Sequence, residues 1–107
     1  MKWKISFYSS KVEEQILKHP KGIRIRLLKT LELMQEYGPD IGLPHTLAMG
    51  KGLFEIRARG QEGIGRYFYC TTIKREIIIL HAFIKKTQKT PKKELDIALS
   101  RLGELKS

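Results

Sequence analysis

The sequence predicts an α+β fold: a small antiparallel sheet with two N-terminal helices on one face, followed by a C-terminal helix. Three features predict this class. Apolar residues alternate near the N-terminus, they then recur at helical spacing, and three strand-like segments follow before a last helical stretch. The resulting order, βααβββα, places helices before a strand meander, which is typical of α+β proteins. At 107 residues, the chain is expected to form a single domain over residues 1–107.

The N-terminal half is predicted to contain one strand and two helices. Trp3, Ile5 and Phe7 alternate with polar residues, as in a half-buried strand. A short helix follows and ends at His19-Pro20, and a second helix spans about Lys21 to Tyr37. The second helix carries one apolar stripe, formed by Ile23, Leu27, Leu31 and Met34. The stretch from Pro39 to Gly52, rich in glycine and proline, is expected to be irregular.

The C-terminal half is predicted to contain three strands and a final helix. The strands are Leu53–Arg59, Arg66–Ile73 and Ile77–Ile84. The last of these is apolar on both sides, which indicates a central strand covered on both faces. The final helix is expected to begin at Thr90-Pro91, and its apolar positions are Leu95, Ala98, Leu99, Leu102 and Leu105.

The charge of the chain narrows the range of partners. Lys and Arg number 21 against 11 Asp and Glu, a formal net charge of +10. If this positive charge is concentrated on one face of the protein, it favours nucleic acid or an anionic membrane surface as the partner. The N-terminus has no apolar segment typical of a signal peptide, and Ile77–Ile84 is far shorter than the ~20 residues that a membrane span needs. We therefore expect a cytoplasmic protein with no membrane partner.

The sequence contains no motif for a metal or an organic cofactor. Cys70 is the one cysteine, which excludes an internal disulfide and a cysteine-cluster metal site. His19, His45 and His81 are scattered, with no carboxylate at ligand spacing. Gly-rich phosphate loops, dinucleotide fingerprints and Ser/His/Asp patterns are not found. No metal and no cofactor are therefore expected.

Basic residues are concentrated in and after the predicted strands. Arg57 and Arg59 share one face of a strand, and Arg66 begins the next. Five lysines then fall between Lys85 and Lys93 with no acidic residue among them. A solvated turn is the usual interpretation of such a run. Its position at the end of a strand, however, favours a basic sheet face that binds a phosphate backbone.

Aromatic residues accompany this basic face. Tyr67, Phe68 and Tyr69 are consecutive in one predicted strand, so their side chains alternate between its two sides. One of them could stack on an RNA base, which contributes about 1–3 kcal/mol. Burial of all three in the core is the competing interpretation.

Several segments resemble one family. The stretch LPHTLAMGKGLFEIR, from Leu43 to Arg57, is similar to the centre of RelE/HigB-type toxins, as is the GRYFY segment from Gly65 to Tyr69. The run HAFIKKTQKTP, which ends at Pro91, resembles more narrowly the phage-derived Gp49-like branch of HigB toxins. Together these segments extend the resemblance over nearly the whole chain.

The resemblance implies the toxin of a type II toxin–antitoxin pair. Such toxins are mRNA endoribonucleases that commonly act on the translating ribosome. A cognate antitoxin, often a helix-turn-helix DNA-binding repressor, neutralises them. By this resemblance, Arg57, Arg66 and either Lys85 or Lys86 stand at the family's basic strand positions, and Lys51 lies in a loop that carries basic residues in relatives. The tyrosine that RelE relatives place after the last strand is missing here, which leaves the general base open.

Cleavage of RNA by its own 2′-OH requires charge stabilisation and proton transfer but no metal. Fixed arginine and lysine side chains stabilise the extra charge on the phosphorane. Proton transfer falls to His45, His81, a tyrosine, or a lysine whose pKa is lowered by neighbouring cations. The candidate catalytic residues are Arg66, Lys86, Lys85, His45 and Lys51. The candidate RNA-binding residues are Arg57, Arg59, Phe68, Tyr67, Lys89 and Lys92.

Two other functions stay open at this point. ParE-like members of the superfamily inhibit DNA gyrase by binding, and they generally lack a clustered basic site. A plain basic RNA- or ribosome-binding domain is the third candidate, since a fold alone does not define function. For the antitoxin, we expect contacts with the polar outer residues of the first two helices or with the basic face, rather than with the apolar stripe of the second helix.

Overall fold

A five-stranded mixed sheet forms the centre of the protein, as described by a computed structural model over residues 2–85 and 91–106. The strands are β1 (Lys4–Phe7), β2 (Thr46–Gly50), β3 (Leu53–Gly60), β4 (Gly63–Thr72) and β5 (Glu76–Lys85), in the spatial order β1-β5-β4-β3-β2. The described helices are α1 (Ser10–Leu17), α2 (Lys21–Tyr37) and α3 (Lys92–Lys106). None of these described helices is long and apolar enough to cross a membrane.

The α+β class predicted from the sequence is confirmed, with two differences in the sheet. β1 pairs with β5 in parallel, with Lys4 opposite Glu76, so the sheet is mixed rather than antiparallel. The partner of β1 lies far along the chain, so no local pattern indicates the direction of this pairing, and α1 and α2 connect β1 to β2 at the opposite edge. The second difference is β2, a short edge strand within the stretch predicted to be irregular. Its pattern is obscured by the adjacent turn residues Gly42 and Pro44.

The helices α1 and α2 cover one face of the sheet. The predicted apolar stripe of α2 is buried in this layer, with Ile23 and Met34 fully enclosed. The layer also contains Val12 and Ile16 of α1 and the sheet residues Ile56, Ala58, Tyr67, Tyr69, Ile77 and Ile79. Burial of apolar area, at roughly 25 cal/mol per Å² removed from water, is the main favourable contribution here. The α2 stripe is therefore core, as expected, and is not available to a partner.

The helix α3 covers part of the opposite face. Its residues Ala98 and Leu102 are buried in a second apolar cluster with Leu53, Phe68, Cys70, Leu80 and Phe83 of the sheet. The first turn of α3 is tied to β5 by Glu94, whose Oε1 lies 2.9 Å from Nε2 of His81. Beyond this turn, the same sheet face carries mostly charged side chains.

Gly60, at the end of β3, marks a close approach between the β3–β4 hairpin and the start of α2. A Cβ at this position would lie 2.8 Å from the backbone nitrogen of Ile23 and 2.9 Å from the carbonyl carbon of Gly22. Glu62, in the hairpin turn, accepts a hydrogen bond from the Gly22 backbone N–H at 3.2 Å. Glu62 thereby satisfies an N-terminal donor of α2, whose N-cap residue Pro20 makes no side-chain cap.

Gly60→Ala is expected to lower the free energy of unfolding by about 1–3 kcal/mol, because the new methyl group meets backbone atoms that cannot rotate away. Gly103→Ala is the matched control. A Cβ at Gly103, within α3, meets nothing within 4 Å, so this change should stabilise the protein by roughly 0.5–1 kcal/mol. Urea denaturation of the wild type and both variants measures the two effects. Equal stability of the two variants would contradict the close approach at Gly60.

Candidate nucleic-acid interface

A basic cleft of about 960 Å³ opens on the sheet face that α3 only partly covers. It is lined by residues of α2, of the segment before β2 and of three strands: Arg26, Leu43, Pro44, His45, Arg57, Arg59, Gly63, Ile64, Arg66 and Lys85. Five of these described lining residues are arginine or lysine, and none of them is acidic. Its arginine and lysine side chains give the cleft a positive charge, which fits the phosphate backbone of a nucleic acid.

The pairing of β3, β4 and β5 brings the cationic side chains together. Arg57 of β3 lies directly opposite Arg66 of β4. Ile64 of β4 is paired with Arg59 of β3 on one side and with Lys85 of β5 on the other. Directly paired residues project from the same face of a sheet, so all four cations face the cleft. The basic sheet face expected from the sequence is present, and three neighbouring strands contribute to it.

A buried carboxylate holds two of these arginines. Glu55, on the same face of β3, is fully buried, and both of its oxygens accept hydrogen bonds from Nη1 of Arg66 at 2.8 Å. Its Oε1 also accepts a hydrogen bond from Nε of Arg57 at 3.1 Å. The side chain of Arg66 is 5% exposed and that of Arg57 is 38% exposed. Arg66 therefore belongs to the floor of the cleft, and Arg57 to its accessible surface.

Lys85 lies at the end of β5, near both arginines. Its pKa is lowered, first because desolvation disfavours the charged amine, and then because of the positive charges of Arg66 and Arg57. The carboxylate of Glu55 acts in the opposite direction. A lower pKa makes the ammonium of a lysine a stronger acid and therefore a better proton donor.

His45 is the histidine that lines the cleft within the described part of the chain. Its backbone carbonyl accepts a hydrogen bond from a backbone N–H of β3 at 2.9 Å, which holds the segment before β2 against the sheet. The other two histidines are engaged elsewhere. Nδ1 of His19 lies 2.7 Å from the hydroxyl of Tyr67, and His81 pairs with Glu94 of α3.

The structure corrects the prediction that Tyr67 or Phe68 stacks on an RNA base. Both side chains are fully buried. Tyr67 lies in the layer beneath α1 and α2, where desolvation raises the pKa of its hydroxyl. Phe68 lies in the cluster beneath α3 and packs on Phe83, with 5.8 Å between ring centroids. A base would have to displace a helix to reach either ring, so both residues are core.

The predicted lysines are not all brought to the cleft. Lys51 is in the β2–β3 turn, six residues along β2 from His45 and therefore about 20 Å away. This distance separates it from the cleft and corrects its assignment as a catalytic candidate. Lys92 begins α3 and is exposed, but it is not among the lining residues. Lys86 and Lys89 lie outside the described residues.

Two residues of the site were not predicted. Glu55 precedes Arg57 by two residues, and this spacing places it on the same face of β3 as Arg57, although it does not indicate a part in the site. The spacing does not indicate its burial, since an isolated glutamate is normally expected in solvent. Arg26 lines the cleft from α2, although α2 packs on the other sheet face. No local pattern indicates this placement, because it depends on how α2 packs against the strands of the sheet.

The chain belongs to the phage-derived Gp49-like protein family, whose family model matches residues 14–103. Its fold is similar to that of the E. coli toxin RelE, solved in the free state as a double arginine-to-alanine mutant. The TM-score is 0.69 and the identity 16%, over 95% of this chain and 99% of that chain. The fold is also similar to a chain of the archaeal RelE–RelB complex from Pyrococcus horikoshii OT3. There the TM-score is 0.58 and the identity 23%, over 80% of this chain and 98% of that chain.

No curated protein sequence matches the chain. The Gp49-like resemblance noted in the sequence is confirmed by the family match, and the fold that it implied is confirmed by the two structural similarities.

The pKa of Lys85 should rise in Arg57→Gln, since this change removes one of the positive charges that lower it and keeps the opposing carboxylate of Glu55. Lys74→Gln is the control, because it removes the same charge at the β4–β5 turn. That position is about 30 Å or more away along β5, several Debye lengths, so the pKa should not change. An NMR titration of the Lys85 amine measures both values. An unchanged pKa in Arg57→Gln would contradict the coupling between these two side chains.

Proposed function

We propose that this protein is the toxin of a type II toxin–antitoxin pair and a metal-independent mRNA endoribonuclease that inhibits translation. The observation that carries the proposal is the cleft, in which four cations on three adjacent strands meet a histidine on a RelE-like fold. Such a set of side chains can hold a sugar–phosphate, stabilise developing charge and transfer protons. The similarity to the toxin RelE and to the RelE–RelB complex supports the toxin class.

In the proposed reaction, the 2′-OH of one nucleotide attacks the adjacent phosphate. His45 takes the 2′-OH proton as the O2′–P bond forms, and Arg57 and Arg66 stabilise the charge on the phosphorane. The P–O5′ bond then breaks, and the ammonium of Lys85 gives a proton to the leaving 5′-oxygen. Its lowered pKa suits this step, because it makes the ammonium a stronger acid. The products are a 2′,3′-cyclic phosphate and a 5′-hydroxyl.

The proposed substrate is mRNA, engaged on the ribosome. Arg59 and Arg26 extend the cationic surface of the cleft beyond the proposed reacting groups, so neighbouring phosphates of a single strand can be held at the same time. Because these contacts neutralise phosphates and release counterions, RNA binding should weaken steeply as the salt concentration rises.

A cognate antitoxin, of the helix-turn-helix type, is the proposed protein partner. One of the structures with a similar fold is a RelE–RelB complex. A net charge of +10 and an open cationic cleft favour an acidic or amphipathic antitoxin segment, since charge complementarity accelerates association and opposes wrong partners. The apolar stripe of α2 is buried and cannot be the contact. The outer residues of α1 and α2 and the basic face are the two proposed surfaces.

Expression of the chain alone should arrest growth, and co-expression of its antitoxin should restore it. Pulse labelling should show that protein synthesis falls before DNA synthesis, because the proposed target is mRNA. An earlier fall in DNA synthesis, with gyrase-linked breaks, would favour the ParE-like alternative. Arrest of translation without any RNA cleavage would instead indicate a plain RNA- or ribosome-binding domain.

Arg57→Ala and Lys85→Ala should each slow RNA cleavage by about 10²-fold or more, the usual loss when one group that stabilises transition-state charge is removed. Both side chains are partly exposed, so both variants should fold. Lys74→Ala, at the other end of β5, should cleave at the wild-type rate. Arg66→Ala is a less specific test, because it takes from the buried Glu55 its closest partner, a loss of roughly 3–5 kcal/mol. Wild-type rates in the first two variants would contradict the site.

Cleavage of a minimal RNA, without ribosomes, should continue in EDTA and produce 2′,3′-cyclic phosphate ends. A 2′-deoxy substitution at the cleaved position should prevent the reaction, because it removes the proposed nucleophile. The products can be identified by mass spectrometry. A 3′-hydroxyl product, or cleavage that stops in EDTA, would show that the reaction follows a different chemistry.

A further inference from the structure

Glu55 is an acidic residue at the floor of a basic cleft. Its side chain is fully buried, and its cross-strand partner is Phe68 of the apolar cluster beneath α3. A buried carboxylate is costly unless it is paired and hydrogen-bonded. Well-packed apolar residues often stabilise a fold as much as a buried ion pair does. Stability alone therefore gives no reason for a glutamate at this position.

Two arginines explain why a glutamate lies at this position. Arg57 and Arg66 are direct cross-strand partners, and like charges in this arrangement repel each other. Oε1 of Glu55 accepts hydrogen bonds from both, at 3.1 Å from Nε of Arg57 and 2.8 Å from Nη1 of Arg66. Its Oε2 accepts a second contact from Nη1 of Arg66, also at 2.8 Å. Charge-assisted hydrogen bonds to a planar guanidinium fix its orientation as well as its position.

We propose that Glu55 is a positioning residue of the RNA-cleaving site, which holds the guanidinium groups of Arg57 and Arg66 in the geometry that stabilises the charge developing on the scissile phosphate. This inference rests on the proposed endoribonuclease function. Glu55 does not itself touch RNA, because its carboxylate is fully buried. It engages Arg57 through Nε, which leaves the two Nη groups of this partly exposed side chain to bind phosphate. A misplacement of about 1 Å at such a site costs up to about 10²-fold in rate.

Glu55 also affects the proton chemistry proposed for Lys85. Within residues 2–85 and 91–106, the charged and titratable groups around this amine are Arg57, Glu55, Arg59, Arg66, His45 and Arg26. Arg66 and Arg57 lower the pKa of Lys85, and the Glu55 carboxylate raises it. Removing that negative charge should lower the pKa of Lys85 further, because the arginines then act unopposed. The alkaline limb of the pH–rate profile should therefore move to lower pH, whereas loss of a purely structural residue would leave it in place.

The test compares Glu55→Gln and Glu55→Asp with the wild type on a minimal RNA and on its 2′-deoxy analogue, which binds but cannot be cleaved. In Glu55→Gln, which keeps the size and loses the charge, the single-turnover rate at saturating RNA should fall about tenfold or more. The Kd of the analogue should stay within about twofold, because no cation is lost. The alkaline limb should shift to lower pH. Glu55→Asp keeps the charge on a shorter stem, so its rate should fall while its alkaline limb stays at the wild-type position.

The control for stability is Ile77→Val, which removes one buried methyl group near the start of β5, at the opposite end of this strand from Lys85 and the cleft. It should cleave at the wild-type rate with the wild-type pH profile. All rates are measured where circular dichroism shows each variant to be folded. A Glu55→Gln variant that cleaves at the wild-type rate would overturn the inference. So would a loss of rate that only follows the folded fraction and leaves the alkaline limb in place.

If Glu55→Gln does not fold, Glu55→Asp decides. A wild-type rate in Glu55→Asp then overturns the positioning role, and a reduced rate with an unchanged Kd for the analogue supports it. Failure of the proposed function has a different signature. A wild-type protein that cleaves no RNA, alone or on ribosomes, removes both proposals, whereas wild-type cleavage combined with full activity in the Glu55 variants removes only this one.

Discussion

The direct opposition of Arg57 and Arg66 across β3 and β4 is the constraint around which the site is built. Two guanidinium groups in this arrangement repel each other, and the carboxylate of Glu55, which bonds to both, offsets that repulsion. Glu55 can do so because it precedes Arg57 by two residues and therefore shares its face of the strand. The cluster of Glu55, Arg57 and Arg66 therefore depends on the pairing register of β3. A shift of β3 by one residue would move Glu55 and Arg57 into the apolar layer beneath α1 and α2.

The unequal covering of the two sheet faces decides where this cluster meets solvent. α1 and α2 cover one face, and the larger apolar cluster lies beneath them. α3 covers the other face in part, and its first turn is held to β5 by the contact between Glu94 and His81. The arginines lie outside the cluster beneath α3 but are held from below by a buried carboxylate. A cleft built in this way has a fixed floor, which suits the charge stabilisation proposed for this site, since groups placed before a reaction need no reorganisation during it.

Most elements of the fold could be predicted because their patterns are local. A local pattern indicates which sides of a segment are buried. The examples are the apolar stripe of α2, the alternation in β3 and the apolar run of β5. The pairing of β1 with β5 and the existence of β2 could not be predicted in the same way. Both depend on which strand a segment meets across the sheet. The parallel direction of β1 is defined by its pairing with β5, and β2 is an edge strand recognisable by its partner β3 rather than by its own sequence.

For the site, the sequence by itself determined that Arg57 and Arg59 share one strand face and that the chain resembles the Gp49-like family, because strand period and motif are properties of contiguous residues. Only the tertiary structure decided that Glu55 is buried between two arginines, that Arg26 reaches the cleft from α2, and that Lys51 lies away from it. The physical reason is the same in each case. Burial, charge pairing and distance are set by contacts between segments far apart in the chain, and the periodicity of a single segment carries no information about them.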